Sequence, residues 1–252
     1  CPVWATIIVA ILAGLAAGLV TGLLHTLLGI PDILAGILTQ IALYSINLNI
    51  MGKSNLPISY RNYTLVVSAS NINMAILVGL GICAVVIAAM YWYFGTEQGS
   101  TIRSTGSNPA MSKAQGININ FTKVIALALS NGLVALSGSL FARYQGFADI
   151  NMGRGAIVIG LAAVIIGEVL GEAIFRKHMN FIIRMLFVIV GGILYYIAMG
   201  IVLWLKMPTD DTKLFTAIIV AIFLAVPYLQ KKRKTSFKKV AKMNAKNAQK
   251  EG

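Results

Sequence analysis

With 252 residues, 58% of them hydrophobic and 12% charged, the chain has more apolar surface than a soluble core of its size can hide, so lipid must solvate part of it. Its net charge of +13 is concentrated: nine of the 21 Lys and Arg lie between Lys231 and Lys250, in KKRKTSFKKVAKMNAKNAQK. Such a run beside a membrane span marks a cytoplasmic anchor facing anionic lipid, not a nucleic-acid-binding domain.

Seven apolar segments are predicted as spans: 3–28, 33–50, 72–94, 121–143, 156–170, 181–205 and 214–229. A helix needs about 20 apolar residues to cross hydrocarbon. The segments 33–50, 156–170 and 214–229 are short, which suits tilted or interrupted helices covered by their neighbours. The expected fold class is all-α, a polytopic transmembrane helical bundle over 1–230 followed by a basic cytoplasmic tail at 231–252.

In the first span, Gly14, Gly18 and Gly22 recur at a spacing of four and mark close helix packing. The second carries Thr39, Gln40, Tyr44 and Asn47; the last three lie three or four apart and share a helix face. Gly52-Lys53-Ser54 imitates the end of a phosphate loop, but Asn47 stands where its first Gly is required. In the third span, Gly79–Ala84 fits a dinucleotide fingerprint by pattern only, since no strand precedes it. Cys83 there is a small apolar residue, and with Cys1 it makes no disulfide framework.

A polar stretch follows, GTEQGSTIRSTGSNPAMSKAQGI at 95–117, and then the fourth span with Ser130, Asn131 and Ser137. The Gly-studded run MGRGAIVIGLAAVIIGEVLGE at 152–172 ends in two acids and leads into a turn predicted over 168–180. His25 and His178 have no neighbours at metal spacing, and no nucleophile–base pair is present, so neither metal chemistry nor catalysis is expected.

Placing the basic tail inside and alternating the spans puts 15 Lys and Arg inside and six outside; without the tail the count is six against six. The tail therefore decides the orientation, with the C-terminus cytoplasmic in a plasma (inner) membrane. That arrangement puts residue 1 outside with neither Met nor a signal before it, so a missing N-terminal hydrophobic region is expected. Asp32, Asp149, Glu168 and Glu172 all fall at span ends. A carrier driven by protons or sodium normally keeps a carboxylate deep in a span.

The 95–117 stretch resembles the loop of ATP-binding-cassette importer permeases of the branched-chain amino-acid and ribose type. The match rests on Thr96, Gly99, Arg103, Gly106, Asn108, Pro109, Gly116 and Ile117; Ser104 and Ser112 stand where the family usually has Ala. ALSNGLVALSGSLFARYQGFADINMGRGAIVIGLAAVIIGEVLGE and GLLHTLLGIPDILAGILTQIALYSINLNIMGKSN are similar to one branch, permeases proposed to import tryptophan, tyrosine or related molecules. The family begins with one or two more hydrophobic segments, and its outer loop differs from residues 51–71 here.

The resemblance implies a permease subunit that hydrolyses no ATP itself and needs no cofactor. Its implied partners are a separate ATPase, an extracytoplasmic substrate-binding lipoprotein and a second permease copy, with an aromatic or other amino acid as cargo. The first-choice ATPase-coupling element is the 168–180 turn, with Glu168, Gly171, Glu172, Arg176 and Lys177. The second is the 103–116 loop, with Arg103, Asn108 and Pro109, where Asn-Pro is suited to cap a helix. Substrate-path candidates are Gln40, Tyr44, Asn47, Ser130, Asn131 and Ser137, against the alternative that such groups bond to neighbouring helices. The rival functions are an ion-coupled carrier or channel acting without an ATPase, and a seven-span scaffold or receptor.

Overall fold

In hydrocarbon an unpaired backbone N–H or C=O finds no water, so a spanning segment must satisfy its own backbone, as a helix does. The computed structural model describes residues 3–58, 72–153, 156–175 and 180–204, with the single positions 214, 218, 221 and 225. It is an all-α polytopic fold in two compact units, Cys1–Gly153 and Arg154–Gly252. The first holds α1 (Val3–Leu28), α2 (Asp32–Met51), β1 (Asn55–Pro57), α3 (Ile72–Gly95), α4 (Glu97–Ser107), α5 (Pro109–Ala114), α6 (Ile119–Gln145) and β2 (Phe147–Asp149). The second holds α7 (Ala156–Phe175) and α8 (Phe181–Trp204).

Among the described residues five helices are long and apolar enough to cross a membrane: Ala5–Leu28, Asp32–Met51, Ile72–Gly95, Ile119–Gln145 and Phe181–Ile201. Two segments expected to be short are full-length helices, since α2 and α7 each run for 20 residues. The predicted turn over 168–180 is corrected as well, because Glu168, Gly171 and Glu172 all lie inside α7. Glu and Ala are good helix formers, so the helix continues beyond the point where the apolar run stops. The expected 214–229 span, apart from four single positions, and the 231–252 tail lie outside the described residues.

Close backbone approach organises the first unit. A Cβ placed on Gly14 would lie 2.5 Å from Ala135 Cβ, one on Gly18 2.5 Å from the Leu127 carbonyl oxygen, and one on Gly22 2.9 Å from Val124 Cα. Real side chains do not tolerate such distances, so only glycine fits at all three. Rising numbers on α1 meet falling numbers on α6, and the two helices are antiparallel. The packing expected from the glycine spacing is therefore present. At one end of the pair, buried Arg143 of α6 donates to Thr6 Oγ1 of α1.

The helix α2 joins this pair through a narrow seam. Thr39 gives its hydroxyl proton to the Ala35 carbonyl oxygen (3.0 Å) and accepts from Thr21 Oγ1 at 2.9 Å, while Ala35 is wholly buried. Back-bonding of this kind lets a hydroxyl sit in an apolar interface without an orphaned proton.

Both α2 and α6 end on a left-handed glycine, Gly52 (φ 66°) and Gly146 (φ 77°). There a side chain would be strained. Beyond them β1 and β2 pair antiparallel, with Asn55 opposite Asp149, Leu56 opposite Ala148 and Pro57 opposite Phe147. The ribbon is extended by Ile58 N–H to the Gly146 carbonyl and Ile150 N–H to the Ser54 carbonyl. It holds the ends of α2 and α6 at one level. No strand was expected from the sequence, because three residues are too few to show alternation.

In the second unit α7 and α8 form an antiparallel hairpin. Gly167 lies against the Phe187 carbonyl and Gly191 against the Ala163 carbonyl, each too close for a side chain. Ala162, Ile166 and Tyr195 are buried together, with Ile159, Leu170 and Met199 packed on them.

The glycine seam gives a stability prediction. Gly18→Leu should destabilise the detergent-solubilised protein by at least the roughly 1–3 kcal/mol typical of overpacking, seen as a lower thermal-unfolding midpoint. Gly36, where an added Cβ would meet nothing within 4 Å, is the control: Gly36→Ala should leave the midpoint unchanged or raise it.

Candidate functional site

The polar stretch between α3 and α6 is a pair of short capped helices. Thr96 caps α4, its Oγ1 accepting from Gly99 N–H at 3.4 Å and donating to the Tyr93 carbonyl at 2.6 Å. Gly99 sits against the Phe94 and Tyr93 backbone, so the elbow from α3 into α4 is tight. Asn108 Oδ1 accepts from Met111 N–H at 3.1 Å and Pro109 occupies the first turn of α5, so the Asn-Pro pair caps a helix as expected. Asn118 then caps α6 by accepting from Phe121 N–H at 3.2 Å.

Gly99, Thr105 and Ser112 are buried, whereas Arg103, Asn108, Pro109 and Lys113 are exposed. With the Asn108 side chain committed to its cap, Arg103 and Lys113 are the cations this element presents. Both α4 and α5 rest on α6, and α4 also packs on α3. The element is therefore a short, rigid, polar platform attached to the spanning helices.

The path candidates separate into two groups. Gln40, Tyr44 and Asn47 on α2 and Ser130 and Ser137 on α6 are exposed. An amide in hydrocarbon without a partner costs several kcal/mol, so such a face must meet water or more protein. Asn131 is instead turned into the α1–α6 seam, where its Nδ2 donates to the Leu127 carbonyl at 2.9 Å. Thr39 is likewise taken up by helix packing.

At the α7–α8 hairpin, Gly171 is buried and Glu172 exposed. Glu168 stands 4.0 Å from Arg184, with side chains 46% and 58% exposed. An exposed pair of this kind adds little stability. Arg176 and Lys177 lie outside the described residues.

One cluster escaped sequence inspection. His25 Nδ1 lies 2.7 Å from Asp32 Oδ1 and 2.8 Å from the Ile30 carbonyl oxygen, and Nε2 lies 2.9 Å from Lys123 Nζ. Three helix ends thus meet on one ring. Lys123 is 98 residues from His25, and no local pattern points to the contact.

Comparison with known proteins is consistent in one direction. Residues 1–227 match a family model described as branched-chain amino acid transport system / permease component. The chain is 43% identical, over 97% of its length and 80% of the relative's, to the tyrosine transport system permease protein of Clostridioides difficile (strain R20291). It is 31% identical to an uncharacterized protein of Rickettsia prowazekii (strain Madrid E), over 87% of this chain and 77% of that one. No solved structure matches significantly.

Removal of the α5 cap gives a local test. Asn108→Ala should cost about 1 kcal/mol of helix stability, as losing such caps does. Hydrogen exchange should then quicken at the Met111 amide while the α1–α6 amides keep their protection.

Proposed function

The chain belongs to the permease-component family of branched-chain amino acid transport systems, and from that premise we propose that it is the membrane subunit of an ATP-driven importer. A separate ATPase binds on the side of α4 and α5, and an extracytoplasmic binding protein delivers the cargo to the opposite face. A second copy of the chain completes the path. The basic tail at 231–252 lies in the cytoplasm, following the positive-inside rule.

The observation that carries this proposal is the capped α4–α5 pair resting on α6. Force from a soluble motor enters a membrane bundle only through an element that is both exposed and stiff. A loop held by side-chain caps at Thr96, Asn108 and Asn118 meets that need. Arg103 offers the ATPase an exposed cation. The α7–α8 corner, with Glu168, Glu172, Arg176 and Lys177, is the second contact, supported by the exposure of Glu172 at the end of its helix.

The polar face of α2 at Gln40, Tyr44 and Asn47, with Ser130 and Ser137 on α6, lines a wet route. Such a route needs no high-affinity site, because the binding protein has already selected the cargo. For the cargo we propose an aromatic amino acid, since a relative 43% identical to this chain carries tyrosine in its name.

Two measurements test these points. Arg103→Cys should crosslink to the ATPase co-purified from the same operon; crosslinking confined to Glu172→Cys would move the main contact to α7–α8. Calorimetry on the cognate binding protein should give tight binding of an aromatic amino acid. Tight binding of a sugar or nucleoside instead would discard the cargo assignment and leave the permease.

A further inference from the structure

The His25 ring orders the groups around it. Its Nδ1 faces two acceptors, the Asp32 carboxylate at 2.7 Å and the Ile30 carbonyl oxygen at 2.8 Å. Nδ1 is therefore the protonated nitrogen, and the lone pair on Nε2 accepts from the Lys123 ammonium at 2.9 Å. A cation and an anion sit on opposite edges of one ring, so both links are charge-assisted and short. The His25 side chain is only 16% exposed, whereas that of Asp32 is 70% exposed.

The position of this cluster matters more than its stability. Lys123 lies near the start of α6, just beyond the Asn118 cap and the helices α4 and α5 that rest on α6. His25 lies near the end of α1, and Asp32 is the first residue of α2. The helix α1 is already locked to α6 by Gly14, Gly18 and Gly22. The far end of α2 is joined to that of α6 by the β1–β2 ribbon, but the start of α2 is attached to α1 only through the small Ala35–Thr39 seam and a three-residue link. A helix start held so lightly follows its neighbours only if something ties it to them.

We propose that the Lys123–His25–Asp32 chain is a positioning element that makes the start of α2 follow the start of α6. Movement of α4 and α5 then reaches the polar face at Gln40, Tyr44 and Asn47. The inference rests on the importer function proposed above. His25 acts through its neighbours and touches no cargo. Loss of the tie leaves the motor running while α2 lags, so its signature is the ratio of solute moved to ATP hydrolysed.

The test uses the complete complex, chain plus ATPase plus loaded binding protein, in proteoliposomes, with hydrolysis and uptake measured in parallel. In His25→Leu, hydrolysis should persist while solute moved per ATP falls roughly ten-fold, the scale of losing one hydrogen bond to a charged group. His25→Asn, whose amide nitrogen reaches the place of Nδ1 and can still donate to Asp32, should restore most of the ratio, and His25→Gln, which reaches only the place of Nε2 and loses Asp32, should not. Asp32→Ala, which removes the carboxylate on α2, should match His25→Leu, and the double variant should be no worse than either. A normal ratio in His25→Leu would overturn the tie. So would hydrolysis and uptake falling together in every variant in proportion to folded protein recovered, since that marks a purely structural cluster. An unaltered complex without ATP-dependent uptake would overturn the importer function, and the tie with it.

Discussion

Backbone-to-backbone contact between α1 and α6 is the constraint on which the first unit depends. Lipid tails are as apolar as leucine, so helices in a membrane gain nothing from hiding hydrocarbon and must associate through close packing. Three glycines on one face of α1 let the α6 backbone come within a distance that forbids any side chain. Once that register is set, other contacts follow from it. Lys123 is delivered to His25 at one end, and Arg143 to Thr6 at the other. The hairpin α7–α8 repeats the solution with Gly167 and Gly191.

The same solvent sorts the polar side chains. Thr21 and Thr39 enter an interface because each hydroxyl finds an oxygen partner there, and Asn131 does so by bonding back to its own helix. Gln40, Tyr44 and Asn47 have no such place in the α1–α2 seam and stay exposed along one face of a spanning helix. That contrast, between polar groups absorbed by packing and polar groups left facing outward, is what supports the proposed route for solute along α2.

Much of the fold was legible in the residues, and the failures have physical causes. Apolar run length marked the described spans, and the spacing of Gly14, Gly18 and Gly22 foretold the α1–α6 seam. The Asn-Pro pair announced the cap of α5. Apolarity, however, reports where a chain leaves lipid and not where a helix ends, so α7 ran through Glu168 and Glu172 to Phe175. The β1–β2 ribbon is set by two helices ending together, which no three-residue pattern encodes. The role of Asn131 and the ring of contacts at His25 depend on register between distant helices, and that register was visible only once the backbones were placed.

In the proposed importer the chain is a passive conduit whose direction is imposed by a motor outside it. Its acidic residues support this, since Asp32 is engaged with His25 at a helix end and Glu168 stands 4.0 Å from Arg184. The most direct measurement is uptake of radiolabelled tyrosine into proteoliposomes holding the chain, its ATPase and its binding protein. Accumulation should require hydrolysable ATP on the ATPase side and should be indifferent to sodium and proton gradients. Accumulation driven by an imposed ion gradient, with the ATPase omitted, would contradict it.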